Sequence, residues 1–268
     1  MALRIPSGTR DVLPEEMRTL RRIERVLLDT FLAEGYGEVS TPAVEYEDTL
    51  RAAETGLGTA YRVLDDQGEL LALRSDMTVP IARVVATRYA QAEPPLRFCY
   101  SASAYRAVRP HRGQMREFLQ AGVELFGVPG PAGVAEVLTV LTRALEATGL
   151  REFRIGLGDA RIFPSLMEAY AVPHDARARL LAELTSRDLA GLDRELAALS
   201  LDDNARQVLS AVPRTRGGVE VLDAPPGPLG EAVGALRETF SLLPPEVASR
   251  VILDLGRAPR LGYYTGQV

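Results

Sequence analysis

The sequence has little of several residues that chemistry depends on. It contains no tryptophan and one cysteine, Cys99, in 268 residues. It also contains no lysine, so all 31 basic residues are arginine. The missing lysine excludes Schiff-base chemistry, a pyridoxal phosphate anchor and the GK[ST] phosphate loop. A single cysteine excludes an internal disulfide and a paired-cysteine zinc site, and two histidines, His111 and His174, exclude a three-histidine metal centre. No metal and no cofactor are expected. No apolar run approaches the roughly 20 residues of a membrane span, and the amino terminus lacks the apolar core of a signal peptide, which predicts a soluble cytoplasmic protein. The net charge of −5 argues against a general nucleic-acid binder.

What is present has the balance of a globular protein, 46% apolar and 25% charged. Pro14 opens a helix in which Met17, Leu20, Ile23, Leu27 and Phe31 recur at helical spacing up to Gly35. Residues 35–46, GYGEVSTPAVEY, read as extended, and Pro42 places that stretch at an edge, a bulge or a strand end. Tyr61–Leu64 and Glu69–Leu73 flank Asp65–Gly68 as a hairpin, and a helix follows over Met77–Gln91. Pro131–Gly149 is amphipathic, Glu152–Gly158 reads as a strand, residues 159–212 are mainly helical, and Val251–Leu255 is a buried-looking strand. Gly217-Gly218 and the run Pro225–Pro228 are the later loop signals.

Residues 96–127, LRFCYSASAYRAVRPHRGQMREFLQAGVELFG, form two strand-like runs around an arginine-rich loop, Arg109–Arg116. Alternation in the second run puts Leu119, Ala121, Val123 and Leu125 on one face and Phe118, Gln120, Gly122, Glu124 and Phe126 on the other. The second face carries an amide and a carboxylate with only glycine between them. It reads either as a solvated sheet face or as a pocket floor, where glycine leaves room for a ligand.

Five segments, in order, resemble the class II aminoacyl-tRNA synthetase core of the histidyl type: SGTRD (7–11), GYGEVSTPAVEY (35–46), LRSDMT (73–78), YRAVRPHRGQMREFLQAGVELFG (105–127) and LGYYTG (261–266). The resemblance implies an α+β fold, an antiparallel sheet flanked by helices with a helical insertion over about 159–215. It implies one synthetase-like domain over 1–268, without motif 3 or an anticodon-binding domain. It also implies a histidine site. Asp76, Thr78 and Gln120 match groups near the α-amino group, Glu124 matches the glutamate facing the imidazole, and Tyr263 and Tyr264 match the tyrosine pair, of which alternation sends one to the pocket and one into packing.

The departures point to a particular branch. Pro259 stands where the synthetases carry an activation arginine, and Val108 stands where their motif 2 glutamate contacts adenine. Arg106, the motif 2 arginine associated with the α-phosphate, is retained and joins the ligand-binding set. The amino-acid half of the site is kept and the nucleotide half is not, a combination similar to the regulatory-subunit family of ATP phosphoribosyltransferase. Membership implies a non-catalytic role in the first step of histidine biosynthesis and in feedback inhibition by L-histidine. It also implies a short catalytic partner subunit, a homodimer core through the motif 1 region, and no tRNA or membrane partner. Arg109, His111, Arg112 and Arg116 then read as a contact surface or a vestige ahead of an ATP site. The alternatives are an active histidyl-tRNA synthetase, which needs the activation arginine, motif 3 and a tRNA surface, or another amino-acid-activating paralogue.

Overall fold

The computed structural model describes residues 4–52, 60–107, 115–223, 229–259 and 264–268. Val108, Arg109, His111, Arg112, Pro225–Pro228 and Tyr263 lie outside the described residues. The fold is α+β, with three three-stranded sheets among the described residues. The chain divides into two units, Met1–Val128 with Val140–Arg151, and Pro129–Thr139 with Glu152–Val268.

In the first unit, helix α1 (Pro14–Ala33) starts on proline with Glu15 and Glu16 in its first turn, where the helix dipole favours negative charge. It stops before Gly35, whose φ of +87° suits a residue without a Cβ. Its inner side, Leu27, Leu28 and Phe31, packs with Tyr36 and Cys99 against Ala121, Val123 and Leu125. These last three belong to the apolar set that alternation assigned to one face; its fourth member, Leu119, is 46% exposed. Strand β1 (Gly37–Glu38) runs parallel to a longer strand, pairing with Phe98 and Cys99.

Strand β2 (Val44–Tyr46), helix α2 (Glu47–Ala52) and the hairpin β3 (Arg62–Leu64) and β4 (Leu70–Leu73) follow, with sheet order β2-β4-β3. The hairpin turn is held by the Asp65 carboxylate, which accepts from Gln67 N at 2.9 Å and Glu69 N at 2.8 Å. Pro42 lies in the irregular stretch between β1 and β2, where no ladder needs its missing N–H.

Helix α3 (Thr78–Arg88) ends three residues before the sequence pattern suggested. Strands β5 (Leu96–Tyr105) and β6 (Glu117–Phe126) form a ten-residue antiparallel ladder. Met77, Ile81 and Val85 pack on its Phe98 and Tyr100, so α3 covers the face opposite to α1. The last part of helix α4 (Pro131–Ala147) adds Val140 and Ala144 to the α1 side.

The second unit is helical around a small sheet. Strand β7 (Ile155–Leu157) is followed by α5 (Ile162–Ala169), α6 (His174–Ser186), α7 (Leu189–Ala197) and α8 (Asp203–Ala211). Strand β8 (Arg216–Gly217), α9 (Gly230–Leu242), α10 (Pro245–Ala248) and β9 (Val251–Asp254) complete it, with β9 parallel to β7 and antiparallel to β8. Ile162, Leu166, Leu180, Leu192, Leu209 and Leu253 are fully buried in its core. Past β7, Gly158 and Val268 exchange backbone hydrogen bonds of 2.7 and 2.9 Å, so the tail is held as an extended segment beside Gly158. Among the described residues, no helix is long and apolar enough to cross a membrane.

Candidate functional site

The β5–β6 ladder aligns Phe98 with Glu124, Tyr100 with Gly122 and Ala102 with Gln120. The second face of β6 is part-buried: Phe126 packs there with Met77, Ile81 and Phe98, on the side of α3 and its entry turn. At that turn, Thr78 is the first residue of α3 and donates its hydroxyl to Glu124 Oε1 at 2.8 Å. Asp76 is only 3% exposed, and its carboxylate accepts from Val79 N and Ser75 Oγ, each at 3.4 Å. It sits where the N-terminal end of α3 favours negative charge.

Glu124 is pushed up to about 7, first by burial and then by the nearby Asp76 charge, while the Thr78 hydrogen bond opposes both. The two carboxylates lie close enough to interact, and among the described residues no arginine is bonded to either side chain. Such a pair favours a ligand that brings positive charge and N–H donors. Gln120 adds to this: its Nε2 donates to the Tyr100 hydroxyl at 3.2 Å, while its Oε1 is buried without a partner.

Arg106 closes one side. Its Nε donates to Ser75 O at 3.1 Å and its guanidinium lies 4.8 Å from the centroid of the Phe118 ring, a cation–π distance. Its backbone N donates to Arg116 O, and Arg116 in turn donates its backbone N to Gly8 O at 2.7 Å and Nη1 to Ser7 O at 3.0 Å. The SGTRD segment thus clasps the base of the arginine-rich loop. Gly8 has a φ of +80°, and a Cβ there would stand 2.8 Å from the Arg116 side chain.

Arg74, in the same LRSDMT segment, is buried and donates to Ser103 O, Thr41 O and Pro42 O at 2.8, 2.7 and 3.2 Å. Burial pulls its guanidinium below its ordinary value. It ties the segment around Pro42 to β5 and so holds Asp76 and Thr78 at the ladder. Neither Arg74 nor Tyr100 was singled out by motif. Tyr100 was detectable only by combining strand alternation with the cross-strand pairing to Gly122.

Asp76, Thr78, Arg106, Gln120 and Glu124 are all in the first unit. Tyr264 belongs to the second unit and is 44% exposed, and Tyr263 lies outside the described residues. Cys99 is buried on the α1 side, where loss of hydration pushes its thiol up to about 11, so it is an inert packing residue. Among the described residues no three His, Cys, Asp or Glu side chains gather as metal ligands.

The antiparallel ladder met by a helix start that carries these residues belongs to a synthetase-like protein: the histidyl-tRNA synthetase family model matches residues 8–268. An ATP phosphoribosyltransferase regulatory subunit from Moorella thermoacetica is 37% identical over 276 residues, covering 100% of this chain and 71% of that protein. One from Symbiobacterium thermophilum is 39% identical over 272 residues, covering 98% and 68%. A crystal structure of an ATP phosphoribosyltransferase regulatory subunit/histidyl-tRNA synthetase from Bacillus halodurans superposes with a TM-score of 0.88 at 30% identity, covering 100% of this chain and 72% of that one. The chain belongs to the family of ATP phosphoribosyltransferase regulatory subunits.

Proposed function

We propose that this chain is a non-catalytic, histidine-sensing regulatory subunit that acts in the cytoplasm on a short catalytic ATP phosphoribosyltransferase subunit. The observation that carries the reading is the enclosed Asp76–Thr78–Glu124 cluster beside the unpartnered Gln120 Oε1. A free histidine offers the ammonium group and ring N–H that such acceptors lack. The match to the family's tyrosine pair is the sole support for Tyr263 and Tyr264 as histidine-binding residues, and Arg106 stands beside the cluster through its bond to Ser75 O. Val108 and Pro259 stand where aminoacylation needs a glutamate and an arginine, which supports a sensor without aminoacylation and without a tRNA partner.

Inhibition follows if histidine binds the inhibited arrangement of the complex more tightly than the active one, with a coupling of roughly 1–3 kcal/mol. A homodimer core is supported by the outer face of the β2-β4-β3 sheet. Tyr46, Leu71 and Val63 stand in one cross-strand rank there, and Tyr46 is 58% exposed. Apolar side chains ranked together on one sheet face mark an interaction surface. Titration calorimetry with L-histidine tests the sensor site. Saturable one-site binding is expected, weakened by Glu124→Ala; equal affinity in that variant removes Glu124 from the site.

A further inference from the structure

Tyr100 is buried at 4% exposure on the site face of β5, and its hydroxyl passes over Gly122, where an added Cβ would stand 2.7 Å from the hydroxyl oxygen. The glycine gap that sequence alternation marked as room for a ligand is thus partly filled by a phenol from the facing strand. That phenol accepts the Gln120 Nε2–H at 3.2 Å. A primary amide has a donor end and an acceptor end, so holding the nitrogen decides where the oxygen points. Here the oxygen is left buried and without a partner, a state that disfavours the ligand-free protein and that an incoming donor relieves.

We infer that Tyr100 is a positioning residue: by holding the Gln120 amide nitrogen it presents Oε1 to the ligand, and so gives the site its requirement for a free ammonium group. This rests on the histidine reading above and adds to it the cause of selectivity for an amino acid over its deaminated analogue. Without the phenol hydroxyl the amide is free to rotate, and its nitrogen then meets the ligand's ammonium donor to donor.

The test compares three probes by calorimetry: L-histidine, imidazolepropionate, which lacks the ammonium group, and histamine, which lacks the carboxylate. Wild-type protein should prefer histidine to imidazolepropionate. In Tyr100→Phe that preference should fall roughly tenfold, through weaker histidine binding, with imidazolepropionate unchanged. Gly122→Ala, whose methyl group displaces the hydroxyl, should reproduce the pattern and gives a second reading should the first variant fold poorly. A structural role for Tyr100 would weaken all three probes together and overturn the inference. A change confined to the preference over histamine would mean that the amide serves the carboxylate, and would also overturn it. Wild-type protein that binds none of the three contradicts the histidine reading itself and the inference with it.

Discussion

Glu124→Gln isolates the effect of placing a carboxylate beneath α3. Burial and Asp76 raise Glu124 from its ordinary value near 4.5 to about 7, against the Thr78 hydrogen bond. At ~1.4 kcal/mol per pH unit, that interval corresponds to about 3 kcal/mol. The sign follows from proton binding. The folded protein holds this proton more tightly than the unfolded chain, so its contribution to stability is fully present below about pH 4.5. It is lost as the pH rises towards about 7 and stays lost above that. Glutamine keeps an oxygen for Thr78 and does not titrate. Urea unfolding of both proteins across this range gives a difference curve from which titrating groups that do not interact with Glu124 cancel. The variant should gain about 3 kcal/mol on the wild type as the pH rises through the window. A flat difference, or a variant that loses ground with rising pH, would refute the claim that Glu124 is held charged at a cost above neutral pH.

Gly8→Ala forces a side chain into a left-handed backbone position against Arg116, and should lower stability by roughly 1–2 kcal/mol in the same unfolding assay. Unchanged stability would show that the clasp on the loop base is not maintained in solution. Paired substitution of Tyr46→Arg and Val63→Glu should shift the protein from dimer to monomer in sedimentation velocity without loss of helical signal. A wild-type monomer at working concentration, or a variant dimer, would remove that sheet face from the interface.

Much of this site is legible in local pattern because strand alternation and glycine act over a few residues. Phe118, Gln120, Gly122 and Glu124 share a face simply by spacing two apart, and Ala121, Val123 and Leu125 of the alternate set meet α1 while Leu119, nearer the loop, stays exposed. The α1 boundaries and the Asp65 turn are equally local, set by Pro14, Gly35 and Gly68. Tyr100 and Arg74 were not legible, because their roles depend on partners far away in sequence. Gly122 becomes the neighbour of Tyr100 only through ladder register, and Arg74 reaches carbonyls at Thr41, Pro42 and Ser103 only once three segments have met. The parallel pairing of β1 with β5 is non-local in the same way.

The most direct test of the regulatory account is the rate of ATP phosphoribosyltransferase turnover by the short catalytic subunit, alone and mixed with this chain, across a histidine titration. The account predicts that mixing raises the rate, and that histidine then lowers it only when this chain is present, with a weaker response for Glu124→Ala. A rate unchanged by this chain at every histidine concentration, together with histidine-dependent ATP–pyrophosphate exchange by this chain alone, would contradict it and identify an amino-acid-activating enzyme instead.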